Sequence, residues 1–166
     1  MTPPMGEKLF LTFDNEYAVP PEYAMAWLLD FREDDMQHAG GAKMPAIRVT
    51  KLPDGRIQRE FALPMGLGNF VTKTRVESKD TWIADCENRD PKSGKVTSTN
   101  RIVESVRPAG PGTRHHVDLY QTDLTLKSRI FAALGKPMQR AQIKKLFAVQ
   151  KRDMEAAHKA GKPPTA

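Results

Sequence analysis

The sequence predicts an α+β domain: a curved, seven-stranded antiparallel sheet, two short helices after the first strand, and a long helix at the C-terminus. Three observations predict it. Apolar and polar residues alternate in seven separate segments, the period of a half-buried strand. Turn residues separate the last six of these segments in hairpin order, which makes the sheet antiparallel. From about Ser128 to Lys159 the pattern changes to helical spacing in good helix formers.

The first strand is "EKLFLTFDNEY", in which Leu9, Leu11 and Phe13 alternate with Lys8, Phe10, Thr12 and Asp14. It leads into "VPPEYAMAWLLDF", where Pro20 and Pro21 suit a first helical turn and Glu22 suits its positive end. A second short helix is expected in "REDDMQHA", ended by Gly40-Gly41. Next, "PAIRVTKL" and "RIQREFALP" flank the hairpin signal "PDGR". The Gly-bearing stretch "PMGLGNF" precedes "NFVTKTRVES", and "TWIADCENRD" and "KVTSTNRIVESV" flank "PKSG". After "RPAGPG" comes the last strand, "TRHHVDLYQTDL".

In the C-terminal segment Ile143, Leu146, Phe147, Gln150 and Met154 fall on one side at 100° per residue, while Ile130, Leu134 and Met138 point elsewhere. The change of direction coincides with "LGKP", where Gly135 and Pro137 are expected to break or kink the helix. The expected organisation is an extension over residues 1–6, one domain over 7–159 and a flexible tail over 160–166.

At 166 residues the chain is long enough to bury roughly two-thirds of its unfolded surface. A single cysteine, Cys86, excludes an internal disulfide and a Cys-rich zinc site. "MTPPMGEKLF" lacks the pattern of a signal peptide, and no apolar run approaches a membrane span, so a cytoplasmic protein is expected. The net charge of +6 is a property of one segment, because residues 127–159 hold nine Lys and Arg against only Asp153 and Glu155.

The order of elements, "VPPEYAMAWLLDF" after the first strand, the turns "PDG" and "PKSG", and the ending "IFAALGKPMQRAQIKKLFAVQKRDMEAA" resemble the START/Bet v-like (SRPBCC) superfamily, in its polyketide cyclase/dehydrase and lipid-transport branch. The likeness covers roughly residues 7 to 158 and is one of pattern, since the superfamily has no catalytic signature to match. It implies a helix-grip fold with an apolar cavity between sheet and long helix, and binding or transport of a hydrophobic small molecule or lipid.

Strand parity supplies candidate cavity residues: Phe13, Phe61, Phe70 and Trp82, with the polar groups Arg59, Thr72 and Asn100 among them. The helices add Trp27, Met138 and Phe147. Such large apolar residues equally well pack a core. "TRHHVDLYQTD" holds two of the four histidines, but adjacent strand residues face opposite ways, so His115 and His116 cannot share a metal or a proton. Either His115 faces inward with Val117 and Leu119, or His116 does so with Tyr120 and Leu124.

Several other groups are weighed and set aside. "GLGNFV" lacks the third glycine and the strand-to-helix setting of a dinucleotide loop. Glu33-Asp34-Asp35 reads as a solvated helix face, and Cys86 as a small inert hydrophobe. No metal or cofactor is expected.

Three functional readings follow. The first is a binding protein, with polar anchors among Arg59, Thr72, Asn100 and His115. The second is a cyclase- or dehydratase-type enzyme using His115 or Tyr120 as general acid/base. The third is an interaction domain whose basic helix face, residues 140–159, docks on RNA or an anionic membrane.

Overall fold

The computed structural model describes residues 7–31, 47–62, 68–122 and 126–164, the stretch 126–134 by its backbone alone. Seven strands form one antiparallel sheet: β1 Lys8–Tyr17, β2 Arg48–Lys51, β3 Ile57–Ala62, β4 Asn69–Ser78, β5 Thr81–Arg89, β6 Val96–Ala109 and β7 Gly112–Thr122. Their order is β1-β7-β6-β5-β4-β3-β2, so β1 and β2 are the two edges. Helix α1 spans Pro21–Leu29 and helix α2 Leu126–Lys159. The expected second short helix and the acidic cluster Glu33-Asp34-Asp35 lie outside the described residues.

The turns form for local reasons. In "PDGR", Gly55 takes φ +83° and the Asp54 carboxylate accepts the Arg56 N–H at 3.1 Å, an Asx-type closure. In "PKSG", Asp90 Oδ1 accepts the N–H groups of Lys92 and Ser93, and Gly94 takes φ +69°. Gly112 is required by proximity, because a Cβ there would lie 2.3 Å from the carbonyl oxygen of Tyr17.

Alternation holds along most of β1, where Leu11, Phe13 and Tyr17 are buried. A register shift between Leu9 and Leu11 against β7 interrupts it, and Leu9 is exposed rather than inward; such a bulge re-aims the residues beside it. Pro21 opens α1 as its first helical residue, with Pro20 extended before it, where a missing N–H is harmless.

The core on the helix-bearing face has two parts. Tyr17, Val19, Ala24, Leu28, Trp82, Val106 and Met154 pack where α1 and the end of α2 meet the sheet. Leu11, Phe13 and Val117 form the second, with Ile102, Leu119, Ile143 and Phe147 against it. Helix α2 is thus seated by its C-terminal half.

Its end is locked. Lys162 N–H donates to Ala157 O and Gly161 N–H to His158 O, each at 3.0 Å, with Gly161 at φ +66°: a Schellman cap. The Tyr23 hydroxyl donates to Lys162 O at 3.0 Å, so the tail expected to fray begins as an anchored turn.

Of the break or kink expected at "LGKP", the break does not occur: α2 is one helix with Pro137 inside it. A proline removes one hydrogen bond and strains the preceding turn. A 34-residue helix keeps intact turns on both sides of that defect. Ile130 and Leu134, the other members of the expected upstream stripe, have no described side chains.

The seating of α2 separates two methionines on one helix. Met154 is fully buried and Met138 is 63% exposed. Met154→Ala is expected to cost about 2–5 kcal/mol and Met138→Ala less than about 0.5 kcal/mol, as read from urea unfolding midpoints.

Candidate functional site

Sheet register decides which histidine faces inward. His115 pairs with Val106 and Asn15, one step from the Val117 row, whereas His116 pairs with Ser105 and Asp14. His115 is fully buried and both its ring nitrogens are engaged. The Tyr17 hydroxyl lies 3.0 Å from Nδ1, and Glu104 Oε2 lies 2.9 Å from Nε2. The imidazole stacks on Trp82 at 5.7 Å between centroids and 17° between planes, and meets Phe147 edge-on at 5.8 Å. It therefore sits at the seam of the two core clusters, touching an aromatic residue of each.

Burial first, then the charges of Glu104 and Glu155, push the Tyr17 phenol well above its ordinary range, so it stays protonated. Its hydroxyl faces Nδ1 of His115, and Glu104 faces Nε2. Glu104 is the member of this chain that meets solvent, with its side chain 20% exposed and that of His115 at 0%.

The inner face changes character along the sheet. One row across it runs Arg59, Thr72, Cys86, Asn100 and the next Ile57, Thr74, Ala84, Ile102, Leu119. A third holds Trp82, Glu104, Val117 and Phe13. Arg59 Nε donates to Thr72 Oγ1 at 3.3 Å, and its guanidinium lies 3.9 Å over the Phe31 ring. The Thr74 hydroxyl is buried with no partner among the described residues. Cys86 is buried, and burial pushes its thiol up to about 12, which suits an inert thiol.

The sequence-derived candidates fall into three groups. Phe13, Arg59, Phe61, Phe70, Thr72, Trp82, Asn100 and His115 share the inner face by register, and Phe147 packs onto it from α2. Trp27 sits half-buried on α1, stacked on Tyr23 at 6.4 Å. Two candidates are corrected. Tyr120 lies on the outer face, where its hydroxyl donates to Asp118 at 3.3 Å, because its parity is that of His116 and Asp118. Met138 points to solvent, on a stretch of α2, residues 136–142, whose side chains are all exposed.

Sequence parity does not single out Tyr17 and Glu104, although both share a strand face with candidate residues: Tyr17 with Phe13, Glu104 with Asn100 and Ile102. An ionisable residue at an inward strand position is the signal that could have found them.

Away from the inner face, Arg101 bridges Asp85 and Glu7, each at 2.8 Å, on the outer face. Burial works against ionisation of Asp85, but hydrogen bonds from Arg101 and Arg75 hold its carboxyl below the usual range. His116 is raised by its bond to Asp14 and by the nearby Asp118. Two pockets, of about 540 and 480 Å³, are lined mainly by outer-face and edge residues, with the inner-face Phe61 also lining the first. Ion pairs rim them, including Arg89 with Glu87 and Arg114 with Glu16. No group of three His, Cys, Asp or Glu among the described residues is placed to hold a metal. No helix among them is long and apolar enough to cross a membrane.

A seven-stranded open sheet gripping a long C-terminal helix, with a partly polar inner face, defines a helix-grip protein. Its fold is that of the START/Bet v-like (SRPBCC) superfamily, as three solved structures illustrate. TTHA0849 from Thermus thermophilus shares 14% identity over 91% of this chain and 98% of its own, with a TM-score of 0.67. A START superfamily protein from Mycobacterium smegmatis matches at 14% identity and TM-score 0.59, over 87% of this chain and 99% of its own. The di-domain ARO/CYC StfQ of the steffimycin biosynthetic pathway matches at 11% and 0.64, over 94% of this chain. This chain spans 52% of StfQ, about half of the di-domain. No protein-family model matches the sequence, and no curated protein does.

Alkaline stability follows from the two buried acids. The unfolded thiol ionises near 9.0 and the unfolded phenol near 10.0, while both folded values are raised. Above those values the unfolded state loses protons that the folded state keeps, so stability falls with rising pH. The expected slope is up to about 1.4 kcal/mol per pH unit for each group. In denaturant titrations, Cys86→Ala should remove the decline between pH 9 and 10, and Tyr17→Phe should flatten it above 10.

Proposed function

We propose that the chain is a cytoplasmic binding protein for an apolar small molecule or lipid, held between the inner face of the sheet and α2. One observation carries this reading. Between and beyond two closed clusters, inner-face apolar side chains including Phe61, Phe70, Ile102 and Leu119 are only partly buried. On α2, residues 136–142 are exposed as well. Partly exposed apolar side chains interrupted by a few polar groups are the ordinary lining of a ligand groove. The likeness in fold to a START superfamily protein and to StfQ supports the same reading.

A catalytic reading of the cyclase or dehydratase kind has one specific support, the hydrogen-bonded chain Tyr17–His115–Glu104. In that case the acid/base group is Glu104 rather than His115, because His115 is fully buried with both nitrogens engaged. The basic face of α2 selects neither RNA nor membrane by itself: Lys136 lies over Phe10 and Arg140 over Phe13, and Arg152 pairs with Asp153.

Native mass spectrometry of protein purified from its own host, followed by denaturing extraction, tests the proposal. A stoichiometric apolar passenger is expected. A bare-chain mass, together with no uptake of added fatty acid or apolar dye, would overturn it.

A further inference from the structure

Glu104 occupies an improbable place for a carboxylate. Its row neighbours across the sheet are Trp82 and Val117, with Phe13 one strand further on. A charge in such surroundings needs a compensating partner. His115 supplies one through Oε2 at 2.9 Å. Oε1 takes no hydrogen bond from the described residues, and the side chain is 20% exposed.

The support behind it is unusually rigid. The imidazole is clamped between Trp82 and Phe147, and the Tyr17 hydroxyl holds its other nitrogen. These contacts fix the direction of the carboxylate through one oxygen and leave the second to a ligand.

A second observation lies on the same face. Thr74 is 2% exposed, and its hydroxyl is buried without a partner among the described residues. Thr74 stands in the next row, two strands away from β6. At about 4.8 Å between strands and 3.3 Å per residue, Thr74 and Glu104 are roughly 12 Å apart. Ala84 and Ile102 form the wall between them. A buried hydroxyl left unpaired is a cost that a bound molecule's polar group would remove.

We infer that Glu104 is the polar anchor of the proposed groove, accepting a hydrogen bond from a hydroxyl or protonated amine on an otherwise apolar ligand. His115 and Tyr17 are its positioning residues, and the Thr74 hydroxyl takes a second polar group across an apolar body. The inference rests on the binding function proposed above and narrows it to ligands that carry a donor.

Isothermal titration calorimetry of the full chain with naphthol, naphthylmethylamine and methylnaphthalene tests it, since the three share a ring system and differ in the donor. Wild type is expected to bind at least one donor-bearing probe about tenfold or more tighter than methylnaphthalene, as a hydrogen bond to a charged group allows. Glu104→Gln keeps the side chain's shape and an oxygen for His115; it should lose most of that preference while methylnaphthalene affinity stays unchanged. Tyr17→Phe should weaken the preference in the same selective way, which loss of packing alone would not do. Naphthol against the amine shows which donor is favoured, and a salt-dependent amine affinity marks the charged one. If Glu104→Gln leaves the preference intact, or wild type has none, the anchor is overturned and the apolar groove stands. If methylnaphthalene does not bind either, the groove itself is overturned.

Discussion

The hydrogen-bonded line from Tyr17 through His115 to Glu104 is the constraint on which the rest of the molecule is arranged. An imidazole can be buried completely only if both nitrogens are satisfied. Here one partner comes from β1 and the other from β6, with β7 carrying the ring between them. That fixes the relative heights of three adjacent strands. It also explains the demand at Gly112: β7 must begin against the Tyr17 carbonyl, where a side chain has no room. The aromatic faces of Trp82 and Phe147 then close over the ring, tying the two apolar clusters together.

From this seam the helix acquires its asymmetry. Met154 enters the cluster beneath α1, Glu155 accepts the Ala18 N–H at 2.7 Å, and His158 meets the Tyr23 ring edge-on at 4.7 Å. All three contacts lie within the last two turns, just before the Schellman cap. Upstream, among the described side chains of α2, burial is limited to partial cover of residues such as Ile143 and Phe147. On the inner face of the sheet, Thr72, Thr74, Ala84 and Cys86 are buried, while Phe61, Phe70, Ile102 and Leu119 around them are only partly covered. The apolar energy of folding is concentrated at the closed end, so the open part of the inner face is relieved of holding the fold together.

Much of this architecture is legible in the sequence because it follows from short-range rules. Alternation and turn chemistry give the strands, their hairpin order and the antiparallel sheet, and helical spacing gives α2 and Phe147 as a core contact. The departures fall where tertiary context overrides a local preference. Pro137 reads locally as the end of a helix segment, yet the turns on either side carry the helix through it. Leu9 reads as inward by alternation, but a bulge turns it out. Tyr120 and His115 cannot be assigned to faces until register against β1 and β6 is known, since a shift of one residue exchanges the faces. Tyr17 and Glu104 escape a reading by parity for another reason: their role is relational. A tyrosine 98 positions from a histidine and a glutamate 11 positions from it become one unit only when three strands are laid side by side.

The two faces of the sheet treat ionised groups in opposite ways, and the contrast gives the inner carboxylate its meaning. On the outer face, Arg75, Asp85, Arg101 and Glu7 neutralise one another in a continuous chain of ion pairs. His116 likewise lies between Asp14 and Asp118. The exposed pair of His116 and Asp14 stabilises little by itself, because water screens it and competes for its bond. On the inner face Glu104 meets instead a single buried imidazole, held from behind by the Tyr17 hydroxyl and stacked on Trp82. Such a partner orients the carboxylate through one oxygen. A sheet that needed only a filled core would place a leucine there, by the same parity that places Ile102 and Val106 beside it. The carboxylate kept there, its directed orientation and a buried Thr74 hydroxyl unpaired among the described residues support the proposed ligand, apolar along its body and polar at defined points.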